Sequence, residues 1–108
     1  MPDAPARTAH AILTFVADYP GTFGRHRAAR VIVGNAGEDD IDRAPDLPVG
    51  GALPDARAAD VLRAIDALIE QGAICKTFGD RPRLCLTRTG WGYVAALELL
   101  TTMEGVTA

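Results

Sequence analysis

The chain has 108 residues, of which 48% are hydrophobic and 23% charged, and its formal net charge is −3. That length supports one domain with a real core, and the composition is neither disordered nor collagenous. It excludes a motor ATPase or a barrel enzyme. Two cysteines are too few for a disulfide framework, and with only two histidines beside them no metal-ligand spacing emerges. No cofactor and no metal are expected. No run approaches the roughly 18 apolar residues of a membrane span, and the segment MPDAPARTAH lacks a basic region followed by an apolar one. These features set the expectation of a cytoplasmic protein without membrane contact.

A first helix is expected with Thr8 as its cap, because Ile12, Phe15, Val16 and Tyr19 recur at helical spacing before Pro20-Gly21. A second fits Gly24 to Val33, where Ala28, Val31 and Ile32 are apolar and Gly34-Asn35 is a stop signal. Its first turn carries Arg25, His26 and Arg27. The helix dipole favours acids there, so cations in that turn imply a nearby anion. Residues 35–54 hold several prolines and glycines among acids, and read as an irregular connection with a short extended piece around Leu47 to Leu53.

A third helix begins after Pro54 and runs from about Asp55 to Gln71, closed by Gly72. Ala58, Val61, Leu62, Ile65, Leu68 and Ile69 form its apolar stripe. The segment AICKTFGDRPRLCLT reads as a β-hairpin turning at Gly79-Asp80-Arg81, which pairs Ile74 with Leu86 and sets Cys75 opposite Cys85. Two reduced thiols are expected there, with a redox pair as the alternative. The last helix runs from Trp91 to about Thr102, led in by a Thr that can cap it, and the tail from Met103 is expected to fray.

The expected fold class is mainly α with a small β-hairpin. Three helices followed by a hairpin is the layout of a winged helix, a helix-turn-helix variant, here one domain with a core of about residues 8–102.

Charge is distributed unevenly. Residues 21–34 carry Arg25, Arg27 and Arg30 with no acid, and residues 71–93 carry Lys76, Arg81, Arg83 and Arg88 against Asp80 alone. Between them, residues 35–70 hold nine acids and three bases. The third helix bears Asp55, Asp60, Asp66 and Glu70 against Arg57 and Arg63, so it is poorly suited to reading bases in a major groove.

The stretch Tyr19-Pro-Gly-Thr-Phe-Gly-Arg-His-Arg-Ala-Ala-Arg-Val-Ile-Val-Gly34 resembles the RQC domain, the winged helix near the C-terminus of RecQ-family DNA helicases. Val49-Gly50-Gly51-Ala52-Leu53 is similar to a second phrase of that family, with Val where Tyr is usual. Ile65 to Gly72 resembles the end of its third helix, and Leu84-Cys85-Leu86-Thr87 with Gly90 its closing strand. The similarity spans about residues 12–97. No Gly-x-x-x-x-Gly-Lys-[Ser/Thr] loop is present, nor the four-cysteine zinc module that accompanies this domain in full helicases. The resemblance therefore implies a free-standing RQC-type protein of DNA repair or replication that binds duplex or forked DNA and does not unwind it.

On this reading Arg25, His26, Arg27 and Arg30 address phosphates from the second helix, joined by Arg57. Lys76, Arg81 and Arg83 do so from the wing, where Phe78 could stack on an unpaired base. The plainer alternatives are a basic face paired with the acidic residues 38–42, and a Phe78 folded onto the core, to which strand alternation would direct it. A helicase or another protein is a conceivable partner. The remaining readings are a protein-interaction module with a basic partner, and a small regulator that dimerises through Trp91, Val94, Leu97 and Leu100 of the last helix. No nucleophile with a positioned base accompanies the carboxylates at 38–42, so an enzyme is not expected.

Overall fold

The computed structural model describes the backbone of residues 4–44, 46–47 and 51–106, and the side chains of 7–38, 40–42, 44, 46–47 and 51–99. It is mainly helical, with one two-stranded antiparallel hairpin. In chain order come α1 (Ala4–Asp18), α2 (Arg25–Ile32), α3 (Glu38–Arg43), α4 (Ala58–Glu70), β1 (Ile74–Lys76), β2 (Leu84–Leu86) and α5 (Arg88–Val106).

The core gathers the apolar faces of these elements. Ile12, Leu13, Phe15 and Val16 of α1 meet Ala28, Ala29, Val31 and Ile32 of α2, Val61, Ile65 and Leu68 of α4, and Ile74 and Leu84 of the hairpin. Phe23 is fully buried between α1 and α2, with ring centroids 5.6 Å from Phe15 and 6.1 Å from Tyr19. Burying such a ring contributes on the order of 2–3 kcal/mol relative to leaving it in water. Tyr19 donates its hydroxyl proton to the carbonyl of Asp46 at 3.2 Å, tying the end of α1 to the long connection. Burial, reinforced by the charges of Asp46 and Asp18, holds the Tyr19 phenol above its ordinary pKa.

The hairpin is more than a pair of strands. The Leu84 carbonyl accepts from the Gly21 amide and the Leu84 amide donates to the Phe23 carbonyl, both at 2.9 Å. The turn segment 21–23, with Gly21 at a φ of +65°, thus lies along the free edge of β2. The register sets Ile74 opposite Leu86 and Cys75 opposite Cys85, as the alternation requires.

Several boundaries differ from expectation. Thr8 lies inside α1, which starts four residues earlier at Ala4, with Pro5 in the first turn where its missing amide proton costs nothing. The connection at 35–54 is not wholly irregular, because Glu38–Arg43 is helical. Gly37 caps that helix, and its amide donates to the Asp40 carboxylate at 2.9 Å. Acids at a helix start also suit the dipole. The extended piece expected at Leu47 to Leu53 falls partly outside the described residues, although the Leu53 amide donates to the Ile32 carbonyl at 2.8 Å. The third predicted helix is α4, three residues shorter at its start, with Arg57 as N-cap.

The last helix begins at Arg88 and continues to Val106, past the expected fraying point. The Thr87 hydroxyl accepts from the Gly90 amide at 3.1 Å and caps it. Of the residues expected to offer an apolar surface for a dimer, Val94 faces the core and Leu97 is half-buried. Trp91, Tyr93 and Leu99 remain exposed, and the Leu100 side chain lies outside the described residues.

Candidate nucleic-acid interface

The start of α2 and the hairpin loop face one another. Gly24 is the N-cap of α2 and supplies no side-chain cap, so the amides of Arg25, His26 and Arg27 open outwards. A Cβ at Gly24 would stand 3.0 Å from the Pro82 carbonyl, and this close approach brings the hairpin loop against the helix end. Thr77 closes the base of that loop. Its amide donates to the Arg83 carbonyl at 2.8 Å, and its hydroxyl accepts from the Arg83 amide at 2.9 Å.

Between the two elements lies an open groove of about 650 Å³, lined by Arg25, His26, Arg27, Lys76, Arg81 and Arg83 together with Gly24 and Pro82. Two basic segments some fifty residues apart thus form one concave surface, as the loop-closing contacts dictate. Among the described residues no carboxylate lines it.

Its charge is partly compensated from behind. Arg25 Nη1 donates to Asp66 Oδ1 of α4 at 2.8 Å, and Arg25 Nη2 stands 3.2 Å from His26 Nε2. Asp40 is the one carboxylate buried among the described residues, at 1% exposure. Its Oδ2 accepts from Arg30 Nη2 at 3.2 Å, while its Oδ1 stands 3.7 Å from Arg27 Nη1. Neither of those last two atoms has another hydrogen-bond partner among the described residues. Burial pushes the Asp40 carboxyl up, but the Gly37 amide and the Arg30 and Arg27 guanidiniums outweigh it and hold it below its ordinary value. The pairing of basic residues with the acidic stretch 38–42 is thus realised at Arg27 and Arg30.

Lys76, Arg81 and Arg83 are different. Among the described residues no carboxylate lies within ion-pair distance of them, and Arg83 Nη1 reaches only the Gly21 carbonyl at 3.4 Å. Phe78 stands at the loop tip, fully exposed. The inward placement implied by strand alternation fails because β1 ends at Lys76, two residues earlier. Arg30 and Arg57 are not part of the groove lining. Arg57 sits at the N-cap of α4, and Arg30 is turned towards Asp40.

Reading from sequence missed Asp66, and placed Asp40 only within the acidic stretch 38–42 as a group. Asp66 offers no local signal, whereas Asp40 does, since an acid three residues after a glycine is a capping pattern. Among the described residues no three His, Cys, Asp or Glu side chains come together as metal ligands, and no helix is long and apolar enough to cross a membrane. Comparison with protein-family models, curated proteins and solved structures finds no match to the chain.

Proposed function

We propose that the chain is an RQC-type winged-helix domain that binds DNA through the groove between α2 and the hairpin. The observation that carries this reading is the convergence of Lys76, Arg81 and Arg83 with Arg25 and Arg27 on one concave surface beside an exposed aromatic tip. Phosphates enter the groove and meet the wing cations and the outward-facing amides of α2. Phe78 then stands where an unpaired base at a duplex end or fork could stack on it. Base-specific reading by α4 is not part of the mechanism, since Asp60, Asp66 and Glu70 would repel the backbone there.

The winged-helix reading draws support from segment 21–23, between α1 and α2, whose backbone bonds to β2 beside the hairpin. Gly51, in the second phrase of the RQC resemblance, adds to it. Its φ of +81° and its approach to Ile32 O and Gly34 N leave no room for a side chain.

Anisotropy titration of labelled blunt, forked and single-stranded DNA over a salt series tests the proposal. Three to four phosphate contacts give a slope of roughly −3 to −4 in log affinity against log salt. A Lys76→Ala/Arg81→Ala double variant should flatten it by about 2. Absence of binding to every DNA form at low salt overturns the reading. A protein-interaction module would then stand, a reading favoured by the pairing of Arg25 and Arg27 with acids.

A further inference from the structure

The two cysteines occupy directly opposed positions of the hairpin, Cys75 on β1 and Cys85 on β2. They share the face that turns away from the core residues Ile74, Leu84 and Leu86. Both are free thiols, Cys75 exposed and Cys85 half-buried.

The ladder around them fixes their spacing. Thr87 donates to the Ala73 carbonyl at 3.1 Å and Thr77 to the Arg83 carbonyl at 2.8 Å. Hydrogen-bonded pairs alternate along an antiparallel ladder, so the Cys75–Cys85 pair between them is also of that kind. Opposed Cα atoms in such a pair lie about 5.5 Å apart, within the range of about 4.4–6.8 Å that a disulfide spans. The Cys85 sulfur lies towards Gly21, since a Cβ built there would be 3.8 Å from it. Closing the bridge takes a rotation about χ1 and a local approach of the strands by about 1 Å, since opposed Cβ atoms of such a pair lie about 5.5 Å apart and a disulfide holds them at about 3.5–4.5 Å.

We propose that Cys75 and Cys85 are a reversible dithiol–disulfide site, oxidised by small-molecule disulfides of the glutathione class. This inference is independent of nucleic-acid binding. Cys75, the accessible thiol, attacks one sulfur of the oxidised reagent as its thiolate. A mixed disulfide forms and one glutathione thiolate leaves, taking up a proton. Cys85, deprotonated, then attacks the Cys75 sulfur, the protein disulfide forms and the second glutathione leaves. Two protein thiols lose two electrons and two protons, and one glutathione disulfide becomes two thiols. The bridge locks the base of the loop that carries Arg81 and Phe78.

The test is incubation of the reduced full-length chain with oxidised glutathione, followed by intact mass and non-reducing peptide mapping. The expected product is a monomer lighter by about 2 Da, for the two hydrogens lost, with a Cys75–Cys85 cross-link that dithiothreitol reverses. Its melting midpoint should exceed that of the reduced chain by about 3 °C or more, because the bridge constrains the unfolded state. In Cys75→Ser or Cys85→Ser the reaction should stop at a single mixed disulfide. The proposal is overturned if the wild-type chain also stops at mixed disulfides, or cross-links only between molecules.

Discussion

Arg25 of α2 and Asp66 of α4, 41 residues apart in sequence, meet at 2.8 Å on the flank of the basic groove. Both side chains are partly exposed, 36% and 43%, so the pair exchanges readily with solvent and with any anion that enters. Asp66 thus restrains a cation that a phosphate would otherwise take. The substitution Asp66→Asn should tighten DNA binding by about threefold to tenfold at low salt and steepen the salt slope by about 1, as one further contact is gained. Anisotropy on wild type and variant reads both quantities. An unchanged slope in the variant, with wild-type binding intact, would mean that Arg25 takes no part.

Asp40 should behave in the opposite manner. It is buried, and it is held by Gly37, Arg30 and Arg27, so Asp40→Asn is expected to destabilise the fold by about 1–3 kcal/mol in urea unfolding. Its folded pKa is depressed below the ordinary 3.8. The stability it contributes is therefore complete above that value and is lost as pH falls further, through the folded pKa. Acid titration of unfolding free energy should show wild type and Asp40→Asn converging as the pH drops below the ordinary carboxylate value.

Gly90 and Gly92 lie two residues apart on α5 and should respond with opposite signs to the same substitution. A Cβ at Gly90 would collide with the Ala73 carbonyl oxygen, whereas nothing lies within 4 Å of one at Gly92. Gly90→Ala should cost about 2 kcal/mol or more through backbone displacement, in the manner of an overpacked core. Gly92→Ala should gain about 0.5–1 kcal/mol, the ordinary preference for Ala over Gly in a helix. Thermal and urea unfolding of the two single variants decides the matter.

Phe78 makes the fourth case. As the ring is fully exposed, Phe78→Ala should leave unfolding midpoints unchanged. Affinity for forked or single-stranded DNA should fall by about fivefold or more, with blunt duplex less affected, since a stacked base is worth about 1–3 kcal/mol. Equal losses on all three substrates would remove stacking from the mechanism.

Which parts of this were legible in the sequence follows from the range of the interactions concerned. The bounds of α2 and the hairpin register rest on local signals, Gly24, Gly34 and the alternation around Gly79, and they read correctly. The short helix α3 did not, because five of its six residues are acidic or basic and no apolar period marks it. It is anchored by Asp40 to Arg27 and Arg30, contacts ten or more residues away. The groove cations were visible as two basic segments, and pairing with residues 38–42 was foreseen as an alternative, but the pairing of Arg25 with Asp66 was not. Asp66 looks like any solvated helix acid until α2 packs across α4. Phe78 was ambiguous for a simpler reason: alternation holds only as far as the strand, and the strand stops at Lys76.

The two backbone bonds between Leu84 and the segment 21–23 have a consequence for how the chain reaches this state. Leu84 is separated from Phe23 by about sixty residues, so the pairing that seats Phe23 closes a long loop whose entropy must be overcome before the contact rewards it. Helix α1 can form early, yet the apolar surface it shares with Phe23 and β2 stays open until that strand arrives. During synthesis, that means waiting for a strand made about sixty residues after Phe23. The exposed hairpin loop that carries Phe78 therefore ends at the strand that completes the core.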